Sequence, residues 1–202
     1  MGLWDTITGR AKPKRPNLEA LFGVPSAAIT LQASLGLVPT GDGAVCYRAA
    51  SGAGFAEAER DVRGLLEATP DAPKVTTQSD GFGFTWLLVD HEPIDPAAPD
   101  LSSLCTDLNA VNVALQDAGY GSGLLCSLIP FTVPNAPADG AQSVGLVYLY
   151  KQGTFYPFAP CAGGKERRDN LLEISVRDAL QHELPLEKDL SRWMALWGAP
   201  GL

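Results

Sequence analysis

Two stretches of this chain, LLCSLIPF at 124–131 and SVGLVYLY at 143–150, are apolar at alternate and intervening positions alike. Successive side chains of a strand point to opposite faces, so strands of this kind belong in a sheet that is covered over much of both faces. They are expected at its centre. The loop between them, TVPNAPADGAQ, is polar and rich in proline and glycine, and KQG at 151–153 is short enough to turn directly into a third strand, TFYPF at 154–158.

The remaining periodicities fill in the layer that packs on this sheet. Phe55, Ala58, Val62, Leu65 and Leu66 recur at helical spacing and predict an amphipathic helix over 54–69, with Glu57, Glu59, Asp61 and Arg63 largely outward. Leu101, Leu104, Leu108, Val111, Leu115 and Ala118 predict a second helix over 101–118, capped by Asp100 and closed by Gly119. Leu171, Leu172, Ile174, Val176, Ala179 and Leu180 predict a third, and Leu186, Leu190, Trp193, Met194 and Trp197 a last one that docks the C-terminus.

Ahead of these, Asn17 is placed to cap a short helix through Leu18, Leu21 and Phe22, ended by Gly23 and Pro25, while residues 26–35 fit helix and strand equally. AVCYRA at 44–49 reads as a strand. KVTTQSDGFGFTWLLVD reads as a hairpin turning at Asp80 and Gly81, with Phe82, Phe84, Trp86 and Leu88 on one face. The order strand, helix, hairpin, helix, three-strand meander, helix, helix lacks regular βαβ alternation. It predicts an α+β fold, a largely antiparallel sheet packed by amphipathic helices, in one domain over 17–202.

Residues 1–16 are a separate case. Leu3, Trp4 and Ile7 fall on one face of a short amphipathic turn, and Arg10, Lys12, Lys14 and Arg15 follow in a proline-broken linker. With Asp5 the segment carries +3 in a chain of net charge −8, which leaves −11 on the remainder. These seven apolar and basic residues are candidate contacts to an anionic membrane surface. The acidic remainder argues against nucleic acid, whose phosphates need a clustered cationic surface. No long apolar core resembles a cleavable signal, and the four cysteines are widely spread, so a cytoplasmic protein with reduced thiols is expected.

Chemical motifs fail one by one. In GTFYPFAPCAGGKERRDN, residues 153–170, a phosphate-binding P-loop would need glycine at Ala159 and serine or threonine at Glu166. The stretch reads instead as the seam between the sheet and its covering helix, with Phe155, Tyr156, Pro157 and Phe158 closing the core and the tyrosine hydroxyl offered to water. Lys165, Arg167 and Arg168 either pair with Glu166, Asp169 or Glu173 at solvent or meet a partner; with Tyr156 they are the candidate partner-binding residues. GYGSG at 119–123 misses the dinucleotide fingerprint and the nucleophile elbow. His91 and His182 lack metalloprotease spacing, and the cysteines lack the pairing of a zinc site, so neither metal nor cofactor is expected. An unrecognised hydrolase or ligand sensor would have to assemble Cys126, Cys161 or His91 in space.

LCTDLNAVNVALQDAGYGSGLLCSLIPF, LVYLYKQGTFYPFAP, RRDN and LEKDLSRWMALW together resemble PspAB, the PspA-associated protein family of actinobacteria, and MGLWDTITGR and VPSAAITL extend the resemblance over nearly the whole chain. The resemblance carries no catalytic motif. It implies a non-enzymatic accessory factor of the phage-shock envelope-stress response, whose coiled-coil protein PspA binds stressed membrane. It also implies a two-layer fold similar to YbjN-like and type III secretion chaperone-like domains. The expected partner is PspA or a related envelope-stress component, at the inner face of the membrane, with room for a homodimer.

Overall fold

The computed structural model describes residues 16–70, 72–91, 95, 100–163 and 166–202. The strands are β1 (Val38–Pro39), β2 (Asp42–Tyr47), β3 (Lys74–Ser79), β4 (Thr85–Asp90), β5 (Leu124–Thr132), β6 (Ser143–Leu149) and β7 (Thr154–Phe158). They form one seven-stranded antiparallel sheet in the order β3-β4-β2-β5-β6-β7, with short β1 also paired to β5. The helices are α1 (Val24–Leu35), α2 (Ala53–Leu66), α3 (Ser102–Leu115) and α4 (Asn170–Leu180). The α+β class holds, and β5 and β6 lie inside the sheet as their double-sided apolar pattern requires.

Strand alternation divides the apolar residues into two cores. Val45, Tyr47, Leu87, Ile129, Phe131, Leu146, Tyr148 and Phe155 join the inner faces of all four helices in one cluster. Ala44, Cys46, Trp86, Cys126, Leu128, Val147, Tyr156 and Phe158 point the other way, where Trp193 and Ala199 meet them. Helices therefore cover one face of the sheet, and the last residues of the chain cover the other.

That second cover differs from the expected helix over 186–197. Within this segment only Leu190–Arg192 makes a turn of 3₁₀ helix, and the rest is an irregular strap. The backbone groups a helix would use are already engaged: Phe155 N donates to Pro185 O, Glu187 N donates to Phe155 O, and the carbonyls of Trp193 and Met194 accept side-chain bonds from the sheet side. Satisfied in this way, the strap needs no intrahelical ladder.

The start of the chain differs as well. Gly23 and Pro25 do not end a short helix; a 3₁₀ segment, Leu18–Gly23, runs directly into α1. Proline is tolerated in a first helical turn, where its missing N–H has no intrahelical acceptor to lose. Asn17 makes no side-chain cap. The true stop is Gly36, at φ 68°, whose N–H donates to Gln32 O. In α2, Leu65 is exposed although its spacing predicts it inward, while Phe55, Val62 and Leu66 are buried. The β3–β4 hairpin keeps its place but not its turn, since the positive φ falls at Gly83 and not at Gly81.

Candidate functional site

Alternation along β7 sends Phe155 to the helix side and Tyr156 and Phe158 to the strap side. The chain then folds back tightly, with Cys161 N donating to Arg167 O and Asp169 N to Ala159 O, which returns Arg168 to the end of β7. Asp169 caps α4 by accepting from Leu172 N at 3.0 Å. One turn later Glu173 reaches back, its Oε1 accepting from Ala159 N at 2.9 Å and Arg168 Nε at 2.8 Å. The seam is thus a charge-assisted clamp, in which the carboxylate side chain is 5% exposed and the guanidinium 22%.

Arg168 also holds the strap. Its Nη1 donates to Trp193 O at 2.8 Å, and its guanidinium lies 5.0 Å over the Phe158 ring. The Tyr156 hydroxyl donates to Met194 O at 3.0 Å, and its ring stacks on Trp193 at 6.0 Å. The Trp193 indole N–H in turn donates to Glu187 O. Trp197 meets Phe158 edge-on at 5.0 Å. The end of the strap seats on small residues, because a Cβ on Gly145 would lie 3.0 Å from Leu202 and one on Gly201 would lie 2.8 Å from Pro130.

Beneath the strap is a cavity of about 440 Å³. Trp86, Cys46, Cys126 and Leu149 form part of its floor, as direct cross-strand neighbours on β4, β2, β5 and β6. Leu196 and Trp197 supply part of the wall. Phe82 and Met194, 71% and 59% exposed, stand with Lys151 among its lining residues. The hydrogen bond with Cys126, followed by burial, pushes the Cys46 thiol far up, so it stays neutral in this site. Burial likewise raises the Tyr156 hydroxyl.

Asp80 organises the hairpin tip over this cavity. One carboxylate oxygen accepts from Phe82 N at 2.8 Å and Phe84 N at 2.9 Å, and the other from the Trp86 indole at 3.1 Å. Slight burial opposes ionisation, but these donors hold the carboxyl below its usual range. Asp80→Asn is expected to cost about 1 kcal/mol at pH 7, because an amide nitrogen cannot accept from the indole. The difference from wild type should close as pH falls below the ordinary aspartate value of 3.8. A carboxyl with a depressed folded pKa stabilises above its unfolded pKa, and loses that contribution as pH drops through the folded one. Denaturant titrations at pH 7 and about pH 3 measure this; an equal gap at both would refute a contribution from the charge.

Two of the expected contact residues are therefore structural. Tyr156 is 1% exposed and gives its hydroxyl to Met194 O, not to water. Arg168 is committed to Glu173 and the strap and is not free at solvent. Arg167 is exposed, donating to Asp139 O and lying 3.7 Å from the Asp139 carboxylate. Lys165 lies outside the described residues, as do Leu3, Trp4, Ile7, Arg10, Lys12, Lys14 and Arg15. Cys126 and His91 do not meet: Cys126 lines the strap side, while His91 Nε2 lies 2.8 Å from Asp107 on α3, a helix of the opposite face.

A surface that motif reading passed over runs along α1. The inner side of α1 and of the 3₁₀ segment that leads into it buries Leu21, Val24, Ala27, Ala28 and Leu31, while Phe22 on the 3₁₀ segment and Ile29 on α1 are 51% and 57% exposed. Leu18–Leu35 has a mean hydropathy of 1.3, long and apolar enough by length and composition to cross a membrane. In the fold that apolar character is shared between the core and an exposed stripe. The signal was present in the sequence, since no charged residue occurs from Ala20 to Gly41.

A family model described as PspAB, PspA associated protein B, matches residues 1–201. No curated protein and no solved structure matches the chain.

Proposed function

We propose, for a chain that belongs to the PspAB family, a non-enzymatic accessory role in which the outer face of α1 associates with PspA in an envelope-stress response. The observation that carries this reading is the pair of exposed apolar side chains Phe22 and Ile29, in a stretch with no charged residue from Ala20 to Gly41, with the Glu183 carboxylate at its edge accepting from Thr30 Oγ1 at 2.6 Å. Large apolar side chains on an exposed helical face favour burial against a partner's apolar stripe, the mode by which amphipathic and coiled-coil helices pack. The cavity's thiols support recognition over catalysis: neither His91 nor His182 is among its lining residues. Such a factor works in the cytoplasm, beside the inner face of the membrane.

A double variant, Phe22→Asp with Ile29→Asp, tests the assignment. Burying two such side chains is worth about 3 kcal/mol or more, so affinity for purified PspA should fall about a hundredfold or more, measured by calorimetry. Unchanged affinity would remove α1 from the interface. Wild-type sedimentation that depends on concentration, and ceases to in the variant, would instead give the face to a second copy of the chain.

Membrane-surface binding by residues 1–15 is a second reading, favoured by the +3 charge of the segment through residue 16. Flotation on anionic vesicles of full-length protein, but not of protein lacking these residues, supports it; equal flotation of both removes it.

A further inference from the structure

Three of the polar side chains lining the strapped cavity, Asp80, Trp86 and Tyr156, are already used. Both Asp80 carboxylate oxygens accept bonds from its own hairpin and from Trp86, whose indole N–H is thereby spent, and the Tyr156 hydroxyl is given to Met194 O. The Cys46 thiol, 2% exposed, faces the buried Cys126 directly across the strands. A polar ligand body would surrender bonds to water here and recover few. The occupant suited to this interior is apolar along its length.

The floor also has a direction. Trp86, Cys46, Cys126 and Leu149 lie in register across four adjacent strands, which spans three strand spacings of about 4.8 Å, or about 14 Å. The two small thiols sit between larger Trp86 and Leu149, so the floor is lowest at its middle. A volume of about 440 Å³ falls within the ~300–1,000 Å³ range of small-molecule sites.

The two lining charges differ. Lys151, two residues beyond Leu149 on the β6 side, is exposed, and no ion pair to it occurs among the described residues. Asp80 belongs to the hairpin tip, on the Trp86 side, and would repel an anion there. We propose that this cavity binds one long acyl chain with a single anionic head, the chain lying along the Trp86–Cys46–Cys126–Leu149 row and the head at Lys151. The site is on the strap face of the sheet, separate from the α1 stripe, and its test is independent of PspA.

Titration of the full-length protein with palmitate, and separately with a palmitoyl lysophosphatidylglycerol below its micelle concentration, is followed by intrinsic tryptophan fluorescence, to which Trp86 and Trp197 in the cavity lining contribute. Saturable binding of either is expected, and the tighter of the two identifies a free acid or a lipid as the source. Lys151→Glu should weaken that ligand by about two- to fivefold while leaving hexadecanol, the same chain without charge, unaffected. Leu149→Trp, which fills one end of the row, should abolish binding of both palmitate and hexadecanol with the thermal transition retained. No saturable binding of palmitate or the lysolipid to wild type overturns the proposal. Undiminished binding of the charged ligand by Lys151→Glu overturns it as well, whether or not the filled variant folds.

Discussion

Arg168→Ala is expected to cost about 3 kcal/mol of folding stability, lowering the melting temperature by about 6–12 °C for a chain of this size. The substitution leaves the Glu173 carboxylate, 5% exposed, with Ala159 N as its remaining hydrogen-bond donor. It also frees Trp193 O from its hydrogen bond and takes the guanidinium off the Phe158 ring. Removing one partner of a buried pair costs more than the pair itself contributes, because the surviving charge stays desolvated. Arg168→Lys keeps the charge but cannot reproduce the fork that serves Glu173 and Trp193 O together, so it should fall between alanine and wild type. A double-mutant cycle with Glu173→Gln separates the charge from the packing: the two losses should sum to more than the double variant's loss. Losses that simply add, or an Arg168→Ala cost below about 1 kcal/mol, would make the contact an ordinary surface ion pair.

This outcome bears on what the chain disclosed before it was folded. RRDN reads as a run of charge at the head of a helix, and its spacing cannot tell Arg167, which is exposed, from Arg168, which is inside the clamp. The difference is made by the return of the chain onto β7, through Cys161 N to Arg167 O and Asp169 N to Ala159 O, contacts that arise only in three dimensions. What depends on short-range period was legible: the double-sided apolar pattern of β5 and β6 and the stripe of α3; the expected cap was one residue off, since Leu101 is the N-cap of that helix and Asp100, just before it, accepts from Ser102 N.

Where side-chain spacing competed with backbone bonding, the spacing misled. Leu186, Leu190, Trp193, Met194 and Trp197 repeat as a helix would, yet Leu190 and Met194 are exposed and the carbonyls of Trp193 and Met194 are taken by Arg168 and Tyr156. The cavity was illegible for the same reason, since its floor joins residues from four strands and its cover is the strap that spacing had turned into a helix. The α1 stripe was legible in principle, but absence of charge from Ala20 to Gly41 is a weaker signal than a motif.

Trp193→Ala should produce the other large effect, about 3–5 kcal/mol, in the range of large-to-small substitutions at buried aromatic sites. Trp193 is 9% exposed, stacks on Tyr156 and donates its indole N–H to Glu187 O, so alanine removes both the packing and the bond that fixes the strap's turn. The Arg168 bond to Trp193 O is a main-chain contact and does not require the indole, so the loss belongs to the ring. Ala44, Leu128, Val147 and Phe158, the strap-side core, would then meet water while the helix-side core stays closed. The expected signature is a lower melting temperature with greater binding of a dye specific for exposed apolar surface, and little change in far-ultraviolet circular dichroism. Trp193→Phe restores most of the packing and leaves Glu187 O without its donor, for a residual cost of about 1 kcal/mol. A Trp193→Ala protein that melts like wild type and binds no more dye would show that the strap lies on the sheet without holding its second core together.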